Sequence, residues 1–245
     1  MRAAPLALGI IGLIGGLFYQ ATGLPQGQQM LSTSETHYAW AVSKGLDGQY
    51  DPAALPLYQA IIQQDLGKVE QLLDQGMSPN MVLHPKRYSP LMLALLVDST
   101  DIVDLLVKRG ANLNYTADDV NGTVLMAAMQ QAIAEALRKS ASSDAFYPPD
   151  YRLFWHMVDS GADINLGYFE TINPGSPHEF VREEDVADMA ALLGQMKLVN
   201  ELLARGYRHD LRRLRETLEI IDVSDEIQPE KDKALETIDQ LLRLL

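Results

Sequence analysis

Two glycines thirty-four residues apart, Gly76 and Gly110, sit at matching places in "VEQLLDQGMSPN" (69–80) and "VDLLVKRGANLN" (103–114). "FWHMVDSGADIN" (154–165) and "VNELLARGYRHD" (199–210) continue the series. Upstream lies a second recurring piece, "LPLYQAI" (55–61), "SPLMLAL" (89–95) and "TVLMAAM" (123–129), in which Pro56, Pro90 and Val124 keep the same interval of thirty-four. Ala60, Ala94 and Ala190 each precede their glycine by sixteen residues. A period of this size predicts a stacked array, because one unit alone cannot bury its apolar face.

One unit can be written out from its residues. Ser89-Pro90 reads as a helix cap and a first-turn proline. Leu91, Ala94 and Leu95 then fall on one face, with the small alanine where a neighbouring helix comes close. A second helix is expected from about Asp101 to Lys108, with Ile102, Val103, Leu105 and Leu106 inward. Gly110 takes the left-handed position that ends a helix. "ANLN" turns the chain outward to the next unit.

"SPLMLAL…DIVDLLVKRGANLN" resembles the ankyrin repeat, with its T-P-L-H-x-A start and V-x-x-L-L-x-x-G-A-x-x-N end. The resemblance covers residues 55–210 and implies an all-α solenoid of four to five helix pairs joined by hairpin loops. The histidine position of the start motif holds Tyr58, Met92, Met126 and Asp188 instead. The inter-repeat hydrogen bonds of that histidine are therefore expected to be missing. Repeat four starts "VADMAAL", without threonine or proline, so stability below that of consensus arrays is expected.

The ruler fails twice. Ala128 to Gly161 spans thirty-three residues, which predicts a first helix running on through "QQAIAEALRK" into a loop with Pro148-Pro149. Residues 166–185, "LGYFETINPGSPHEFVREED", exceed a tight ankyrin hairpin about twofold. Long loops are functional or disordered more often than not. Partner contact, a packed structural loop and a disordered tether remain the three readings of this segment. After Asp210, "LRRLRETLEIID" and "PEKDKALETIDQLLRLL" predict two capping helices (211–245), and "HYAWAVSKGL" a helix with Trp40 within an N-terminal linker and cap (23–54).

The first 22 residues stand apart. Arg2 is followed by an apolar run from Ala3 to Phe18, the pattern of a secretory signal or a short membrane anchor. Ala21 offers a cleavage site, but Tyr19 breaks the small-x-small rule, so a cleaved signal and an uncleaved anchor both stand. Gly12 and Gly16 form a pair of the kind that seats a second helix. Either way the repeats are expected outside the cytosol, free in a bacterial periplasm or anchored at the inner membrane. The chain has no cysteine, which excludes disulfides, thiolate metal sites, cysteine nucleophiles and lipidation at an N-terminal cysteine.

A net charge of −13 argues against nucleic acid or an anionic membrane surface as partner. About half of it lies between Glu216 and Asp239, where nine acids face two lysines, as on a solvated helix face. No cofactor or catalytic motif is present: the five histidines lack i, i+4 pairing, and G-x-S-x-G, Walker and G-x-G-x-x-G patterns are absent. His178 and Glu179 with Glu183, Glu184 and Asp185 suggest a metal site less well than an acidic complement to the following helix. No metal, no cofactor and no enzyme are expected.

The ankyrin resemblance implies a face of hairpin tips and first helices that grips another protein. The candidate contact residues are His84, Lys86, Arg87 and Tyr88 on one tip; Tyr115, Asp118 and Asp119 on the next; and Tyr168, Phe169, Glu170, Phe180 and Arg182 on the longest. An exported acidic chain of this kind resembles immunity proteins that neutralise secreted antibacterial toxins, such as those of type VI secretion. The alternative expectation is an envelope scaffold or stress-related ankyrin protein.

Overall fold

The computed structural model describes residues 53–82, 88–117, 122–142, 145–172 and 180–244. The signal or anchor reading of residues 1–22 and the Trp40 helix lie outside them. Among the described residues no helix is long and apolar enough to cross a membrane. The chain forms two compact units, one of residues 53–112 and 133–149, the other of residues 113–132 and 150–244.

The first unit holds two helix pairs: α1 (Leu55–Ile62) with α2 (Leu66–Asp74), and α3 (Pro90–Leu96) with α4 (Thr100–Lys108). Their starts are chemically marked. The Ser89 hydroxyl accepts from the Met92 N–H at 3.1 Å with Pro90 in the first turn, and Asp65 caps α2 through the Lys68 N–H at 2.9 Å. Ile102, Val103 and Leu106 are buried as expected, whereas Leu105, also expected inward, is only half-buried, and α1 packs on α3 and α2 on α4. Ala60 and Ala94 are closed over by their neighbours. Their carbonyls accept the N–H of Asp65 and Ser99, at 2.9 and 3.0 Å. A larger side chain there would force the helices apart.

The repeat glycines take positive φ, +92° at Gly76, +82° at Gly110, +110° at Gly161 and +101° at Gly206. In each case the following N–H returns to a carbonyl five residues back, as from Ala111 to Leu106 at 2.9 Å, which satisfies a helix-end carbonyl. The asparagine that ends each of the first three motifs then reaches the next turn. The Asn80 side chain donates to the Gly110 carbonyl at 2.9 Å and accepts from the Asn112 N–H at 2.6 Å. In the second unit Asn114 accepts from the Asp163 N–H at 2.8 Å, and Asn165 from the Arg208 N–H at 2.6 Å. Each turn thus hydrogen-bonds to the next copy of itself, whether thirty-four residues on, as from Asn80, or across the longer intervals that follow Asn114 and Asn165. Ion pairs repeat at the same level: Arg109 with Asp74 at 2.6 Å, and Arg205 with Asp159 at 2.9 Å. Arg205 also lies 4.2 Å above the Trp155 ring.

The long helix α5 (Val124–Ala141) runs through "QQAIAEALRK" as expected, its first half in the second unit and its last turns in the first. The second unit continues with α6 (Arg152–Asp159), α7 (Val186–Leu192), α8 (Met196–Ala204), α9 (Leu211–Ile220) and α10 (Gln228–Leu242). The two helices expected after Asp210 are present, and α9 packs on α7 while α10 packs on α8 and α9. Leu211, Leu214, Leu218, Ala234 and Ile238 bury the inner faces of this pair.

Two expectations need correction. The chain is mostly helical rather than all-α: β1 (Thr116–Ala117) pairs with β2 (Gly122–Thr123), and β3 (Tyr168–Ile172) pairs with β4 (Phe180–Glu184), both antiparallel. The β-branched Thr171, Ile172 and Val181 with the aromatics Tyr168, Phe169 and Phe180 favour a pleated ladder where a loop was expected. Nor are the polar links at the histidine position lost throughout. The Tyr58 hydroxyl donates to the Tyr88 carbonyl, and Asp188 accepts from Thr217 Oγ1 at 3.2 Å. Met92 and Met126 are buried without a polar link and act as packing.

The added Cβ of Gly110→Ala meets nothing within 4 Å, so its cost is that of left-handed backbone alone. Urea unfolding of this variant is expected to show a loss of about 1–2 kcal/mol with an unchanged fold.

Candidate functional site

The hairpin β3–β4 is the longest departure from the repeat, and its root is fixed by close packing. Tyr168 is buried, and its ring fills the space where Gly122 has no side chain. A Cβ at Gly122 would stand 2.4 Å from the ring carbon Cε1 of Tyr168 and 2.8 Å from the Met126 sulfur. The Tyr168 hydroxyl donates to Glu184 at 3.3 Å, across the register that pairs these two residues. One residue along, the pleat turns outward. Phe169 is 67% exposed and Val181, diagonal to it across the ladder, 61%. An exposed phenylalanine on an ordered strand presents a rigid apolar surface at little entropic cost on contact.

Beneath the hairpin lies a buried polar network. Asp185 Oδ1 caps α7 through the Ala187 and Asp188 N–H groups at 2.9 and 3.0 Å. Its Oδ2 accepts from the Tyr207 hydroxyl and from Arg213 Nη2, both at 2.7 Å. Arg213 Nε donates to Asp188. The expected helix-capping role of this acidic run holds for Asp185, but its charge is shared with an arginine twenty-eight residues later. Glu183, opposite Phe169, is paired with His209 at 2.9 Å. Among the described residues no three His, Asp or Glu side chains converge as a metal would need.

Two carboxylates share one guanidinium here, with both aspartates out of water. Burial, and then the neighbouring Asp185 charge, push the Asp188 carboxyl up to about 6. Burial, followed by the same Asp185 carboxylate, raises the Tyr207 phenol far above its ordinary range, so it stays a donor. These groups fix the start of α7, the turn at Tyr207 and α9 to one another.

The sequence-derived contact residues separate accordingly. His84, Lys86, Arg87, Asp118 and Asp119 lie outside the described residues. Tyr88 and Tyr115 are half-buried, and Tyr88 offers its carbonyl to Tyr58. Tyr168 is a packing residue of the hairpin root, whereas Phe169 faces solvent. Glu170 pairs with Arg182, and Phe180 with Ile172, in the backbone ladder. Sequence reasoning missed Val181, which the alternation of β4 would have marked once a strand was assigned. It also missed Phe146, 85% exposed in the segment after α5. Two further residues define that segment's ends: Tyr147 N–H donates to Ser140 Oγ at 2.9 Å, and the Asp150 carboxylate pairs with Arg152 at 2.6 Å.

Two measurements test the network. Arg213→Met leaves two buried carboxylates facing each other and is expected to cost about 3–5 kcal/mol in urea unfolding at pH 7.5. The Asp188 carboxyl binds its proton more tightly when folded, so its contribution is largest at low pH and falls as pH rises through about 6. Relative to Asp188→Asn, the native chain should therefore gain about 2 kcal/mol between pH 7.5 and pH 4.5. An unchanged difference across that window would show that Asp188 titrates as an ordinary carboxylate.

Comparison with known proteins agrees with this architecture. A model of ankyrin repeats in three copies matches residues 57–145. An ankyrin repeat protein of Fowlpox virus (strain NVSL) is 36% identical over 73 residues, which is 30% of this chain and 18% of the viral protein. The chain thus spans under a fifth of that relative's length. The matched residues hold the helix pairs of the first unit, the turns at Gly76 and Gly110, and the long helix α5 that opens the extended third repeat. Residues 57–145 carry ankyrin repeats, a general protein-interaction module.

Proposed function

We propose that this chain is a non-enzymatic protein-binding module whose principal contact is the β3–β4 hairpin, centred on Phe169. The observation that carries the reading is the pairing of burial and exposure on adjacent residues. Tyr168 is locked against Gly122 and Met126 while Phe169 and Val181 stand in solvent on a strand that cannot easily move. An aromatic residue held rigid and exposed is the type of anchor that dominates protein interfaces. The ankyrin match supports the class, because the repeat serves as a binding scaffold rather than a catalytic one.

The sharper reading concerns partner and place. The chain is exported to the periplasm, or held at the inner membrane by its first 22 residues, and it binds and neutralises a secreted antibacterial toxin. The apolar run behind Arg2 supports export, and the acidic surface suits a basic or neutral protein target rather than a polyanion.

Phe169→Ser tests both levels. Its side chain is mostly in water, so a stability change of no more than about 0.5 kcal/mol is expected. Co-expressed with a toxin encoded beside its gene and directed to the periplasm, the full chain should protect the cell and co-purify with the toxin. Phe169→Ser should lose both. Protection that survives this substitution would remove the hairpin from the interface. Association with envelope proteins instead of a toxin would favour the scaffold reading.

A further inference from the structure

Five of the chain's twenty basic residues fall between positions 205 and 215, in a molecule whose net charge is −13. Three are spent within the fold: Arg205 on Asp159, Arg213 on Asp185 and Asp188, and Arg215 on Asp239 and Glu219. The other two are not. Arg212 is exposed and makes no hydrogen bond or ion pair among the described residues. Arg208 uses only Nη1, which donates to the carbonyls of Leu203 (3.1 Å) and Tyr207 at the end of α8. Its Nε and Nη2 have no partner among the described residues.

Arg208 and Arg212 line one open cavity of about 350 Å³, together with His209, Asp210, Leu211 and Leu242. The carboxylate in that wall is already engaged, because Asp210 Oδ1 accepts from the Arg213 N–H at 2.9 Å and caps α9. The two carbonyls pin the Arg208 guanidinium, so less side-chain freedom is lost when it binds than for a free surface arginine. The half-buried Leu242 gives the cavity an apolar wall beside its charge, with the mostly buried Leu211 also lining it.

We propose that this cavity is a second contact of the binding module, and that it receives an acidic side chain of the partner protein flanked by an apolar residue. The proposal rests on the protein-binding reading and adds the partner's chemistry: a Glu- or Asp-bearing loop or terminus with a leucine-like neighbour. A guanidinium fork matches the two oxygens of a carboxylate, and the apolar wall matches the neighbour. The chain's overall negative charge would repel any acidic partner lacking such a point of entry, which makes the site selective as well as attractive.

The probe is a synthetic peptide of alternating Glu and Leu, titrated into the isotope-labelled full chain while backbone amide signals are followed at low salt. Shifts are expected at Arg208–Arg212 and at Leu242, and the same peptide with Gln for Glu should produce none. Arg212→Gln, which removes no internal bond, should weaken binding about tenfold, and Arg208→Gln with Arg212→Gln further. Arg152→Gln, an equal loss of charge elsewhere, should leave binding unchanged. Shifts confined to other residues, equal binding by the Gln peptide, or full affinity in Arg212→Gln would each overturn the proposal. Phe169→Ser should bind the peptide normally. A cavity that fails while partner capture still depends on Phe169 would sink this inference and leave the hairpin reading standing.

Discussion

Everything repeated in this chain depends on a turn that only a residue without Cβ enters cheaply. At Gly76, Gly110, Gly161 and Gly206 the backbone crosses into the left-handed region, and the next N–H folds back on a helix carbonyl. After the first three of these glycines, that geometry fixes where the following asparagine points, and the asparagine holds the next turn in register. Apolar helix faces supply most of the stabilisation, as in other arrays of this kind, but they would tolerate sliding by a turn. The glycine turns and their asparagines remove that freedom. The ion pairs of Arg109 and Arg205 sit at the same level, largely exposed, and contribute little beyond agreement with it.

Much of this was legible without coordinates because it is local. Caps, first-turn prolines and glycine stops each involve residues within one or two turns, and the spacing of Ala60, Ala94 and Ala190 from their glycines stays within one helix pair. The overrun of α5 was equally visible, since "QQAIAEALRK" keeps helix-forming residues past the expected end. The hairpin was harder to read. Whether Tyr168 or Phe169 faces inward depends on a register of one residue, and the contact that sets it comes from Gly122, more than forty positions earlier. The Asp185–Asp188–Arg213 network is hidden for the same reason. Nothing near Asp185 announces an arginine on α9, and an acidic run before a helix has a cheaper local explanation that is itself half true.

The histidine position teaches a narrower lesson. Replacing the residue that usually links repeats does not entail losing the link, because Tyr58 and Asp188 make bonds of their own from the same place in the unit. Met92 and Met126 do not. The series therefore has polar links at its ends and packing at its middle positions, an asymmetry that motif comparison alone would read as uniform decay.

Gly122 has a consequence beyond packing. Because the hairpin is held at its base by Tyr168 against a missing side chain, the aim of the strands is set before the chain reaches Phe169 or the connection beyond Ile172. The outer part is then free to change its chemistry without re-aiming itself, much as a tool holder accepts different bits. A chain with a small residue at that corner and an aromatic ring above it can change its outward positions without re-aiming the strands. A chain without that corner would have to rebuild the mount first.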